Sequence, residues 1–347
     1  MTLTELAYYS RRLLPLVVLG FLFLLIIFYL FKISFFFLSL NKPQTIYHNP
    51  IFGKIDLPKI KNATSSAGFE YLLDTIEGSP ITATTTAKVF FIPPAKPRLG
   101  YREKAFLMAK NFNIDTNLAS YNLKNNQAIF TDEKQKLIVD IDTFNFSYQY
   151  FFENDPSLLE NIVIPEQKTI ENKVIDFLKT INRYPDDLAL GRININLINY
   201  DPISKIFTKV KQSNEANMVE VNLFRSDIDN FPIITPNFPS SQNYFLVVFN
   251  EQGFKILRAQ IKFFEKSNEE YGIYLLNSGE KIYEKLKNGL GFVINHPSTN
   301  KKIVIKNMFL GYFDPDEYQP YLQPVYVFVG EPDFTAYVPA ISDQYLQ

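Results

Sequence analysis

Residues 321–341 read YLQPVYVFVGEPDFTAYVPAI. Val325, Val327 and Val329 alternate with Tyr326 and Phe328, the two-residue period of a strand. Gly330-Glu331-Pro332-Asp333 is a turn signal, and Phe334 to Ile341 is a second apolar stretch. Pro324 and Pro339 bracket the pair, and proline inside a sheet is confined to edges, first positions or bulges. The expectation is a terminal hairpin, with Pro339 blunting an outer edge. Glu331 and Asp333 suit the turn, and the stretch holds no nucleophile or general base.

Working back from the hairpin, strands are expected at Ile303–Phe313, Tyr271–Leu276, Lys255–Phe264, Tyr244–Asn250, Met218–Phe224 and Arg192–Leu197. Phe231 to Ser241, with Pro232, Pro236 and Pro239, reads as a long loop. Earlier strands are Gln135–Phe146, with Asp140 and Asp142 facing solvent, then Asn126–Phe130, Thr84–Ile92 and Phe69–Ile76. Helices are expected at Tyr101–Phe112, from Pro165 through Ile181, and at Gly279–Asn288. Ala105, Met108, Ala109 and Phe112 form one helical face, as do Ile170, Val174, Phe177, Leu178 and Ile181. The last helix has Ser278 as N-cap and Gly289 after its end, with Ile282, Leu286 and Leu290 turned inward. Helices this sparse among antiparallel strands predict an α+β fold, with helices on one face of curved sheets.

The N-terminus differs in kind. LLPLVVLGFLFLLIIFYLF, residues 13–31, is a run of 19 residues without a charge. A helix of that length spans roughly 28 Å, close to the hydrocarbon thickness of a bilayer. Ile33 to Leu40 extends the apolar character beyond Lys32. A cleaved signal peptide has a shorter apolar region and a small-residue cleavage site, so a retained anchor is expected. Arg11 and Arg12 before the run favour a cytoplasmic tail and a body outside the cytoplasm, against Lys32 and Lys42 on the far side. The domain reading is a tail at 1–12, a transmembrane anchor at 13–40, a proline-marked stalk at 41–62, and α+β subdomains at 63–160 and 161–347. Pro94-Ala95-Lys96-Pro97 fits a polyproline ligand pattern but reads as a rigid connector.

Composition narrows the chemistry. Hydrophobic residues are 46% and charged residues 20% of 347, enough for a sizeable core. Basic and acidic residues number 35 and 36, without the basic excess that a nucleic-acid surface needs. Cysteine is absent, which removes disulfides and thiolate chemistry. The two histidines, His48 in the stalk and His296 before Pro297-Ser298-Thr299-Asn300, fit neither a triad nor a zinc site. Two acidic clusters, Asp227-Ile228-Asp229-Asn230 and Asp314-Pro315-Asp316-Glu317, resemble calcium loops. Positions six and twelve are Pro232 and Phe238 in one and Gln319 and Val325 in the other, so both fail and read as solvated turns. Gly289-Leu290-Gly291 lacks the rest of a phosphate loop. Asn62-Ala63-Thr64 and Asn145-Phe146-Ser147 are sequons at a chance rate. We therefore expect no catalytic, cofactor-binding or metal-ligating residue, with paired Asp and Glu of a cell-wall glycan enzyme as the alternative.

Residues 255–341 carry a resemblance. Ile256-Leu-Arg-Ala-Gln-Ile-Lys-Phe-Phe, Tyr271-Gly-Ile-Tyr-Leu-Leu, the helix from Ser278, Ile303-Val-Ile-Lys-Asn-Met-Phe-Leu-Gly-Tyr and Gln323-Pro-Val-Tyr-Val-Phe follow in order. This resembles the YycH/YycI-type regulatory proteins and PepSY-like extracytoplasmic modules, which pair one membrane helix with helix-plus-antiparallel-sheet units. The resemblance implies a non-enzymatic regulator at the cell envelope. Its partners would be the membrane, through one helix, and a sensor kinase or another envelope protein, with no nucleic acid. No site residue carries over.

Overall fold

The computed structural model describes residues 3–40, 47–97, 99–251, 253–296 and 301–347. The chain divides into two compact units, residues 1–47 and 48–347. The first is α1 (Leu3–Leu40). Within it Leu16–Phe35, 20 residues, is long and apolar enough to cross a membrane, and none of that window is buried. The helix already begins at Leu3, so most of the expected tail is helical and continuous with the apolar run.

In the second unit β1 (Thr64–Ser65), β2 (Glu70–Leu73) and β3 (Thr86–Phe91) come first. Next come α2 (Tyr101–Asn111), β4 (Ser120–Lys124), β5 (Gln127–Thr131), β6 (Gln135–Asp140) and β7 (Phe146–Tyr150). α3 (Gln167–Thr180) and the single-turn α4 (Asp186–Ala189) precede β8 (Ile193–Asp201), β9 (Ile206–Val210) and β10 (Met218–Leu223). Then follow β11 (Ile233–Ile234), β12 (Tyr244–Asn250), β13 (Gly253–Ile261), β14 (Tyr271–Leu275) and α5 (Gly279–Lys287). β15 (Phe292–Asn295), β16 (Lys302–Phe313), β17 (Tyr321–Glu331) and β18 (Phe334–Pro339) close the chain.

These strands form two nine-stranded sheets. One runs β4-β5-β6-β7-β13-β12-β10-β8-β9, antiparallel throughout. The other runs β1-β15-β18-β17-β16-β11, with β2 also on β16, β3 on β17 and β14 on β3. Here β2 and β11 lie parallel to β16. The α+β class holds. The boundary expected at 160/161 does not: β7 pairs with β13, Gln149 opposite Arg258, so strands from both sides of residue 160 share one sheet. That pairing joins residues about a hundred positions apart, and no local periodicity announces it. The sheet built from residues 120–261 is instead inserted into the other, whose strands come before, within and after it.

Amphipathic helices explain the cores. Ala105, Met108 and Ala109 of α2 and Ile170, Val174 and Leu178 of α3 are buried in one cluster with the inner faces of β5, β6, β7, β10, β12 and β13. Phe112 joins the layers, stacked on Tyr148 of β7 at 4.2 Å and meeting Phe177 of α3 edge-to-face at 4.8 Å. In the other sheet, Ile282 and Leu286 of α5 pack with Tyr326 and Phe328 on one face. Val325, Val327 and Tyr337 pack with Ile234 and Phe313 in a separate cluster. Ser278 Oγ accepts from Lys281 N at 3.4 Å as the N-cap. Leu290 is 62% exposed, so the inward face of α5 ends at Leu286.

Two expectations about segments are corrected. The terminal hairpin forms, Val325 opposite Pro339 through Gly330 opposite Phe334, but β18 is not an outer strand. β15 pairs along its other side, with Phe292 opposite Tyr337, and all six residues of β18 are buried. Pro339 lies past the last β15 pair, where no ladder donor is needed. Of the expected stalk, residues 41–46 lie outside the described residues, and 48–62 belong to the body. Asn49 exchanges backbone hydrogen bonds with Ile273 at 2.8 and 2.9 Å, and Ile55 is 1% exposed beside Val89, Tyr274 and Ile341. Prolines there interrupt regular structure without keeping the chain off the sheet.

Candidate functional site

Residues 135–146 do not run as one strand. β6 stops at Asp140, and Asp140 N donates to Asn145 O at 2.8 Å across a turn. Asp140 Oδ1 accepts from Asp142 N, Thr143 N and Thr143 Oγ1 at 3.1, 2.7 and 2.7 Å. An Asp that binds the backbone two and three residues on nucleates a turn, and Phe144 completes it at φ 57°. Asp140 and Asp142 are half-buried rather than solvent-facing.

Asn145, in the second sequon, is a fixed part of this turn. Its Oδ1 accepts from Arg183 Nη2 at 2.9 Å and Phe263 N at 3.0 Å. Burial lowers the Arg183 guanidinium to about 10, against the raising effect of Glu265 and Asp140.

Asp314, expected in a solvated turn, lies instead in a buried cluster. Arg225 and Asp314 are each 1% exposed at the side chain. Arg225 Nη1 donates to Asp314 Oδ1 at 2.6 Å and to Phe264 O at 3.2 Å. Its Nη2 donates to Asp187 Oδ2 at 2.7 Å, and the guanidinium lies 4.4 Å from the Phe263 ring centre. Gln242 Nε2 donates to Asp314 Oδ2 at 2.9 Å. Burial works against the Arg225 charge, yet Asp314 and Asp187 raise its affinity for a proton. Complete burial pushes the Asp314 carboxyl above its ordinary value, against the pull of Arg225 and Gln242.

The second acidic cluster is therefore a solvated turn only in part. Asp314 is an internal tie between the ends of β10 and β16, while Glu317 is exposed. The first cluster is a turn as expected. Asp229 and Asn230 both have positive φ, and Ile228 and Phe231 exchange backbone bonds at 2.9 and 2.8 Å around them.

A cleft of about 550 Å³ opens between the sheets. Asp140, Asp142 and Asn145 of the turn form one side, Lys262 and Phe264 after β13 another, and Asp316, Glu317 and Tyr318 the third. Lys61, Pro94 and Ala95 complete the rim. Lys61 Nζ is 2.8 Å from Glu317 and holds that carboxyl below its ordinary value. Lys262 Nζ is 3.7 Å from Asp316. Tyr318 Oη donates to Ile92 O at 3.0 Å. Gln319 bonds both the N–H and the carbonyl of Lys59, at 3.0 and 2.7 Å. The segment expected as a stalk thus braces the cleft.

The remaining sequence candidates fall elsewhere. His48 is exposed at the start of the body, and His296 is exposed after β15 with its ring 5.4 Å from Phe69. The loop 297–300 lies outside the described residues. Gly289 has φ +80°, and the Gly291 N–H donates to Ser66 Oγ at 2.9 Å, so the pair closes α5 against residues 66–67. Among the described residues no group of three or more His, Asp or Glu is placed to hold a metal ion. The signals missed were Asp140-x-Asp142-Thr143, a turn pattern, and Arg225, whose partner lies 89 residues away.

No protein-family model matches the chain, and no curated protein does. Among solved structures it is similar to an uncharacterized protein from Eubacterium rectale, with 14% identity over 77% of this chain and 87% of that one, at a TM-score of 0.36.

Proposed function

We propose that this chain is a single-pass, membrane-anchored binding or regulatory protein, non-enzymatic, with its body outside the cytoplasm and acting through protein contacts. The observation that carries it is the division of the chain. An exposed apolar helix forms one unit, and a sheet-rich body with an open cleft forms the other. The first supplies a tether and the second a surface. The resemblance of the sequence of residues 255–341 to YycH/YycI-type regulators and PepSY-like modules favours a sensor kinase or another envelope protein as partner.

A glycan-acting enzyme is the second reading, because four carboxylates and three aromatic residues, Phe146, Phe264 and Tyr318, line one cleft. A glycosidase acid needs a raised pKa. Lys61 moves Glu317 the other way, and Asp140 Oδ1 is engaged by three donors. Both features favour binding over hydrolysis. Cross-linking in intact membranes, read by mass spectrometry, tests the proposal. A second envelope protein is expected, and recovery of this chain alone would count against it.

A further inference from the structure

We infer that an aromatic patch around residues 49–57 rests in the headgroup layer of the bilayer that holds α1, so that the body is seated on lipid; this rests on the membrane-anchor part of the reading above. Asn49 is tied into the body by its two backbone hydrogen bonds to Ile273. The chain then crosses β14 at Gly272, where a Cβ would meet Ile51 N at 3.2 Å and Asn49 O at 3.3 Å, and so it runs beside Tyr271. Ile51, Leu57 and Tyr271 are exposed. The Phe52 ring lies 5.0 Å from that of Tyr321 and 6.3 Å from that of Phe91, with all three rings half-buried. Leu57 shares a small hollow with Tyr321, which makes the patch continuous.

Apolar side chains gathered on one face, unlike single ones scattered over a surface, mark a contact. The tether selects the occupant. Asn49 stands nine positions after Leu40, the end of α1, and nine residues span at most about 32 Å. A body of residues 48–347 is roughly 50 Å across, so this patch is the part of it with the least freedom to leave the bilayer. A short tether keeps the local concentration of lipid surface high. The side chains fit the same occupant. Tyrosine, with an apolar ring and a wet hydroxyl, gathers at membrane–water interfaces, and Tyr271 and Tyr321 supply it here. Lys54, Asp56 and Lys59 carry both signs along the segment, and Lys88, over the Tyr271 ring, is paired with Asp229. The attraction is therefore apolar rather than ionic, and zwitterionic lipid suffices.

The chain has no tryptophan, so a single one serves as a probe. The test places full-length Ile51→Trp in phosphatidylcholine nanodiscs, with and without phosphatidylcholine brominated near the headgroup end of its chains. Blue-shifted emission is expected, quenched about twofold or more relative to Ile203→Trp, an exposed site at the turn between β8 and β9. Leu57→Trp, a second probe of the patch, should behave as Ile51→Trp does. Adding Tyr271→Glu to Ile51→Trp should bring the quenching down to that of Ile203→Trp. Quenching that survives Tyr271→Glu undiminished belongs to the introduced ring alone and overturns the inference. Patch probes quenched no more than Ile203→Trp overturn it as well, and leave this face to a protein partner. The two readings fail separately. A chain that does not co-elute with nanodiscs sinks the anchor and this inference together. A chain that co-elutes with both patch probes unquenched sinks this inference alone.

Discussion

Replacing Arg225 by methionine isolates the energetics of the buried tie. The guanidinium is 1% exposed and bonds Asp314, Asp187 and the Phe264 carbonyl. Its loss leaves Asp314, equally enclosed, with the Gln242 amide as its remaining side-chain donor. Removing one partner of a buried pair costs about 3–5 kcal/mol, and Asp187 adds little because its side chain is 29% exposed and can take water. The loss should depend on pH in a definite direction. Burial already raises the Asp314 carboxyl, and without Arg225 it rises further. A carboxyl raised in the folded state takes up a proton more readily there than in the unfolded chain. The penalty is therefore full above the raised value and fades as pH falls toward the unfolded value of about 4. Arg225→Met with Asp314→Leu should recover most of the loss, because a buried ion pair and an apolar pair of similar size are often nearly equivalent. Urea unfolding of the full chain in detergent micelles measures this by tyrosine emission, which no tryptophan obscures among 21 tyrosines. A loss below about 1 kcal/mol at neutral pH, or one that does not narrow in acid, would refute the reasoning.

Other perturbations address the sheets, the C-terminus and the topology. Val327→Asp puts an unpaired charge between Val325, Phe313 and Tyr337 and should cost more than about 4 kcal/mol, seen as protease sensitivity of the whole body. A folded variant that has lost only partner capture would instead make the strand an interaction element. Asp343 is held near 2, against its own burial, by Lys281 and Lys285 of α5. Its contribution is present above about pH 4 and is lost as pH falls toward 2. With half the side chain exposed, Asp343→Asn should lower neutral-pH stability by no more than about 1 kcal/mol and flatten the acid limb of the unfolding curve. Identical acid limbs would contradict this. Asn62 is exposed in its turn, so translation with microsomes should add a glycan that Asn62→Gln removes, if the body crosses the membrane. An Asn62 that stays unmodified would favour a cytoplasmic body.

Local patterns were legible because single elements obey single periods. The stripes of α2 and α3, the Ser278 cap and the β17–β18 hairpin all follow from neighbours within a dozen residues. Short strands escaped for the same reason. β4 pairs β5 through Asn125 and Asn126, both at positive φ, a turn that a search for Gly or Pro passes over. β15 has only four residues, so the flank it gives to β18 was invisible and β18 was read as an edge. The site was hidden by a deeper limit. Nothing around Asp314 distinguishes it from a surface acid until Arg225, from another sheet, comes to lie over it. Charge in a sequence reads as solvent-facing by default, and only the fold can enclose it with a partner.

The insertion of one sheet into the other gives the buried tie a positional role that its energy alone does not explain. Such a pair adds little net stability over apolar replacements, but it tolerates few arrangements. Arg225 grips Asp314 and the Phe264 carbonyl together. Asp314 opens the segment that runs on to Asp316, Glu317 and Tyr318, and Phe264 lines the cleft opposite them. One guanidinium thus sets the separation of two walls that belong to different sheets. Asn145 repeats the device on the third wall, joining the Asp140 turn to the Phe263 amide and to Arg183. The cleft is thus fixed at its back by ionic and amide bonds that reach across both sheets, so its walls hold their spacing.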